Sequence, residues 1–71
     1  MKTLEAIKIG SKLLKEKKIS SYILDAELLL SKVLNKSREE ILINLDNKID
    51  KKKISIFEGY LNRRSKNEPI A

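Results

Sequence analysis

Residues 24–34 read LDAELLLSKVL, and seven of these eleven are apolar although Asp25 and Glu27 sit among them. At about 100° per residue, Ala26, Leu29, Leu30, Val33 and Leu34 fill one broad arc of a helix. Leu24 and Leu28 carry the apolar surface round the far side. A helix apolar on most sides is expected to be central, packed by its neighbours rather than lying on them. The two acids fall about 160° apart on this wheel, so they cannot act as a carboxylate pair. Asp25, in the first turn, is expected to point with Lys32 toward the polar gap and to favour the positive helix end. Glu27 shares a side with Ile23, Leu30 and Leu34. An unpaired charge there would be expensive, which predicts a cationic partner.

Three further amphipathic segments surround this one. The first is expected to start after Thr3 as N-cap, with Leu4, Ile7, Ser11 and Leu14 on one face, and to run out in KEKK. Gly10 inside it costs about 1 kcal/mol relative to Ala, and either a close approach by a neighbouring helix or a tolerated defect accounts for it. Ser20 or Ser21 opens the second helix and Asn35 or Lys36 ends it. Ser37 and Glu40 then form an S-x-x-E capping box for a short third helix with Ile41, Leu42 and Leu45 inward. Asp50 caps a fourth, in which Ile54, Phe57 and Leu61 form the core stripe and Tyr60 flanks it. Asn67 in the left-handed conformation and Pro69 are expected to stop it. The fold class predicted is all-α, a small bundle of four to five helices with helix two central.

Seventy-one residues suffice for one small domain, and a chain of this size buries only about 60% of the surface its unfolded form exposes. It has no Cys and no His, so disulfides, a thiolate nucleophile and the commonest transition-metal ligands are excluded, and a cytoplasmic setting is expected. No apolar run approaches the ~20 residues of a membrane helix, and the N-terminus lacks the apolar stretch of a signal peptide. The net charge of +6, from 16 Lys and Arg against 10 Asp and Glu, suits phosphates or an acidic protein partner, or is simply a solvated Lys-rich surface. With Tyr22, Tyr60 and Phe57 the only aromatics, base stacking on single strands is not supported.

Catalytic machinery is missing from the sequence. There is no glycine-rich phosphate loop, no nucleophile elbow and no metal-ligand cluster, so this chain alone is not expected to be an enzyme or to hold a cofactor or metal. What remains is one face of the fourth helix, where Lys52, Ile56 and Arg63 share the side opposite the core stripe. They are the candidate partner-binding residues, an apolar contact with a cationic rim, unless this is an ordinary solvated face. Arg64 lies at the edge of the core stripe. It is either the partner of Glu27 in a structural ion pair or an Arg whose stem covers apolar surface.

Two blocks, LDAELLL at residues 24–30 and RRSKNEPIA at residues 63–71, with the capping segment between them, resemble the N-terminal domain of the PrmC (HemK) family of release factor glutamine methyltransferases. The resemblance covers nearly the whole chain. It departs at Asn67, where the family usually has Gly, a replacement that preserves a left-handed helix stop. The resemblance implies a helical domain over residues 1–67 that recognises the peptide chain release factor. Residues 68–71 would begin a linker to a catalytic domain, absent from this chain, that uses S-adenosylmethionine to methylate the glutamine of a Gly-Gly-Gln motif. The family's N-P-P-Y motif and glycine-rich cofactor residues are not in this sequence, so a piece of a longer enzyme is expected. The implied partners are the release factor and the catalytic domain, with the protein a monomer. The rival reading is a freestanding basic helical module that binds nucleic acid. Against it, the cations are scattered through all the helices, and none presents a basic face toward base edges.

Overall fold

The computed structural model describes residues 1–66. They form α1 (Thr3–Glu16), α2 (Tyr22–Leu34), α3 (Arg38–Leu42) and α4 (Lys51–Ser65). Among the described residues the only extended pairing is an isolated bridge between Lys2 and Lys48. The chain is thus a small all-α bundle. Helix α2 packs on each of the other three, and α1 also packs on α4. The central position expected for α2 is what the molecule has.

The core is built from Ala6, Ile7 and Leu14 of α1, Ala26, Leu29, Leu30 and Val33 of α2, Ile41 of α3, and Phe57 and Leu61 of α4, closed by the loop residues Ile19 and Ile49. Each large aliphatic or aromatic side chain sealed there contributes about 1.5–3 kcal/mol. Gly10 is where α1, α2 and α4 meet. A Cβ on it would lie 2.9 Å from Phe57 Cζ, 3.2 Å from Leu61 Cδ2 and 3.3 Å from Ala26 Cβ. Close approach, not a tolerated defect, explains this glycine. Gly59 differs, because a Cβ there would meet nothing within 4 Å among the described residues.

Several local signals act as expected. Ser37 Oγ accepts from the Glu40 amide (3.2 Å) and Glu40 Oε1 accepts from the Ser37 amide (3.1 Å), the reciprocal capping box. Asp50 Oδ1 accepts from the Lys52 amide at 2.7 Å. Asn35 ends α2 in the left-handed conformation, with φ 54°. Lys18, with φ 62°, does the same after α1, a stop that the KEKK reading did not include. Around it the Ile19 amide donates to the Leu14 carbonyl and the Lys18 amide to the Lys15 carbonyl. This is the Schellman pattern, and buried Ile19 supplies the apolar residue that accompanies it.

The start of α1 departs from expectation. Lys2, not Thr3, is the N-cap residue. Thr3 is buried, and its hydroxyl donates to the Asn47 carbonyl at 3.0 Å. The loop before α4 supplies the caps instead. The Thr3 amide donates to Asn47 O (2.8 Å), the Leu4 amide to Leu45 O (3.1 Å), and the Ile49 amide to Met1 O (2.7 Å). The orphan donors of a helix start are met here by residues more than forty positions away. The inward face accordingly runs Thr3, Ala6, Ile7, Gly10 and Leu14, and Leu4, expected inside, is 38% exposed. Leu24 and Leu28 are also open, at 44% and 38%, while Leu29 and Val33 are buried. The side of α2 that carries these two leucines is not covered by the described residues. The helix stop expected at Asn67 and Pro69, and the linker expected over 68–71, lie outside the described residues.

Candidate docking surface

Two acids in the most apolar helix become two ion pairs, with partners different from those the wheel suggested. Asp25 is buried, not turned with Lys32 to the polar gap, and Arg64 Nε donates to its Oδ2 at 3.0 Å. Ser21 Oγ donates to the same oxygen at 2.9 Å. Glu27 is also buried, and Arg38 Nε donates to its Oε1 at 2.7 Å. The expected pair of Glu27 with Arg64 is therefore corrected: Arg64 serves Asp25, and the first residue of α3 serves Glu27. The wheel places Glu27 correctly on a buried side and Asp25 wrongly in the polar gap, and it cannot say which helix crosses at which level.

These contacts fix a seam between α2 and α4. At one end Arg64 meets Asp25. In the middle Lys32 Nζ lies over the Tyr60 ring, 5.6 Å from its centroid. At the other end Lys53 Nζ donates to the Val33 carbonyl at 3.4 Å. The start of α4 thus meets the end of α2, and the two helices run antiparallel. Lys52, Ile56 and Arg63 all lie on the exposed side of α4, as expected, with Ile56 49% exposed. Ile56 stands one turn before Tyr60, and Leu28 one turn before Lys32, so the two apolar residues flank the seam from opposite helices. The sequence reading missed Leu24 and Leu28 as surface residues; the signal was their position off the arc that Leu29, Leu30 and Val33 define.

Among the described residues no group of three metal-ligating side chains converges, and both glycines sit within helices, without positive φ. Neither can form the tight turn that cradles a nucleotide-like cofactor. A pocket of about 130 Å³ lined by Thr3, Leu34, Ile41, Asn44 and Asn47 is below the ~300 Å³ at which ligand sites begin. No helix among the described residues is long and apolar enough to cross a membrane.

The chain is similar to known proteins over most of its length. The model of the PrmC N-terminal domain matches residues 5–71. A bifunctional methyltransferase of Rickettsia conorii is 52% identical over 52 residues, 73% of this chain and 10% of that protein. A second, of Rickettsia felis, is 51% identical over 53 residues, 75% of this chain and 10% of that protein. A release factor glutamine methyltransferase of Leptospira interrogans is 34% identical over 68 residues, 96% of this chain and 24% of that protein. The chain therefore spans between a tenth and a quarter of the length of these relatives. No solved structure matches it. With its described residues folded as four helices round a sealed core, and with a family match over residues 5–71, this chain belongs to the PrmC N-terminal domain family.

Proposed function

We propose that this chain is the substrate-holding domain of a release factor glutamine methyltransferase. Residues 1–67 bind the peptide chain release factor, and residues 68–71 begin the linker to a catalytic domain that methylates the glutamine of its Gly-Gly-Gln motif. The family membership supports the reading most directly, together with the relative that is itself named a release factor glutamine methyltransferase and aligns over 96% of this chain. S-adenosylmethionine, when bound to the catalytic domain, supplies the methyl group. In this reading the cofactor belongs to that catalytic domain, and the role of this chain is binding and orientation. The setting is the cytoplasm, and the protein acts as a monomer.

Holding the release factor at a surface remote from the reacting atom supplies binding energy that the enzyme spends on alignment of the glutamine amide. Lys52, Ile56 and Arg63 are the contacts assigned to this task on α4. Their rim of cations steers an acidic partner and fixes its register, while Ile56 supplies the apolar contact. Calorimetric titration of purified release factor into the full chain tests the reading, with duplex RNA and DNA titrated in parallel near physiological salt. Saturable binding of the release factor alone is expected. Micromolar binding of the duplexes with none of the release factor would favour the freestanding nucleic-acid module instead.

A further inference from the structure

We propose that Ile23, Leu24 and Leu28, on the open side of α2, form the seat of the catalytic domain that follows in the same polypeptide. The inference rests on the reading of this chain as the first domain of a release factor glutamine methyltransferase, and adds which of its surfaces the second domain occupies.

Eight large apolar side chains are exposed among the described residues, and three of them, Ile23, Leu24 and Leu28, fall within the first two turns of α2. Singly exposed apolar residues are ordinary, whereas neighbouring ones mark a contact surface. Leu28 stands one turn after Leu24, and Ile23 is next to Leu24 in the chain, so the three share one surface. The acids of the same segment do not interrupt it. Asp25 is buried against Arg64, and Glu27, one turn after Ile23, is buried against Arg38. Each carboxylate offsets the cation beside it, which leaves an apolar patch bordered by two ion pairs.

The path of the chain selects the occupant. Arg64, in the last turn of α4, bonds Asp25 in the first turn of α2, so α4 ends at Lys66 beside this patch. The matching family is that of an N-terminal domain, and this chain spans 10% of one relative and 24% of another. In the reading proposed above, the remainder of the protein therefore continues from the end of the bundle where the patch lies. A neighbour joined by a short linker is held at a roughly millimolar effective concentration and needs no charge to steer it. Permanently joined surfaces are also more apolar than those of partners that come and go. An apolar patch with a balanced border, at the exit of the chain, fits the attached domain. The release factor, which leaves after each methylation, is better served by a charged rim.

The chain has no Cys, so single thiols report on the patch. Leu24→Cys, Leu28→Cys and Ile43→Cys are made in residues 1–71 and in the polypeptide extended through its catalytic domain, and maleimide labelling at each site is timed by peptide mass spectrometry. Ile43 is the control: it is 80% exposed, and its neighbour Asn44 lines a pocket with Leu34, the last residue of α2, at the other end of the bundle. Labelling at positions 24 and 28 is expected to be at least tenfold slower in the extended protein, with position 43 equally fast in both. Should a Cys variant fail to fold, hydroxyl-radical footprinting of Ile23, Leu24 and Leu28 in the unsubstituted proteins reads the same protection. Equal rates at 24 and 28 in the two proteins, with release factor still bound, overturn the seat and leave the holding role standing. Protection that appears only when release factor is added makes the release factor the occupant and overturns the seat. Labelling of residues 1–71 that slows as their concentration rises makes the occupant a second copy and overturns it too. Protection in an extended protein that binds no release factor supports the seat and overturns the holding role, and a polypeptide that continues into no methyltransferase domain overturns both.

Discussion

Arg64 Nε donates to Asp25 Oδ2 across 3.0 Å, so the last turn of α4 is fastened to the first turn of α2. The Asp25 side chain is almost sealed, at 8% exposure, while the Arg64 side chain keeps 21%. Ser21 holds the same oxygen from within the helix start.

Asp25→Ala is therefore expected to destabilise the domain by about 2–3 kcal/mol, below the ~3–5 kcal/mol for breaking a fully buried pair because Arg64 retains contact with water. Urea unfolding followed by circular dichroism measures it. A loss under about 0.5 kcal/mol would mean that the pair contributes no more than an exposed one.

The Glu27–Arg38 pair is shorter, at 2.7 Å, but Arg38 is 42% exposed on its side chain. Arg38→Ala should cost only about 1 kcal/mol globally. Its larger effect is local, since Arg38 opens the five-residue α3. Amide exchange at Ile41 and Leu42 is expected to accelerate more than exchange at Leu30, and equal acceleration at both would contradict a local role.

The two glycines give opposite expectations for the same substitution. Gly59→Ala should raise stability by about 1 kcal/mol, the helix-propensity difference with no steric term. Gly10→Ala gains the same propensity, but its Cβ would meet Phe57 Cζ at 2.9 Å. Overpacking of about 1–3 kcal/mol outweighs the gain, so a net loss near 1 kcal/mol is expected. Melting curves of the two variants should shift in opposite directions.

Lys18→Gly should raise stability by about 1 kcal/mol. The Schellman pattern after α1 holds Lys18 at φ 62°, a conformation that costs a residue with a Cβ about 1 kcal/mol and glycine almost nothing. A lower melting temperature in Lys18→Gly would show that the lysine side chain is worth more than its strain.

Signals that act within one helix turn were legible in the sequence: the Ser37–Glu40 box, the Asp50 cap, the stop at Asn35 or Lys36 and the Phe57–Leu61 stripe. Gly10 was legible as one of two alternatives, because a core glycine and a defect look alike until the neighbour is known. The ion pairs were half legible. Burial of Glu27 and its need for a cation follow from the wheel, but the choice of Arg38 over Arg64 depends on how far along α2 each neighbour crosses, which no local pattern encodes. Thr3 misled for a related reason. It is a good cap residue, yet its hydroxyl serves Asn47 O, and the caps of α1 come from the far loop. On the surface, Lys52, Ile56 and Arg63 were readable as an outward stripe. Its α2 counterpart was not, because apolar residues on a central helix read as core.

The bonds from residues 45–49 to Met1, Thr3 and Leu4 also set an order of events during synthesis. A chain leaving the ribosome exposes its first helix before those carbonyls have emerged, so the front of α1 stays hydrated and frayed in the nascent polypeptide. Locking of that end waits for residue 49 to clear the exit tunnel, so closure of the domain follows the emergence of its first helix rather than accompanying it.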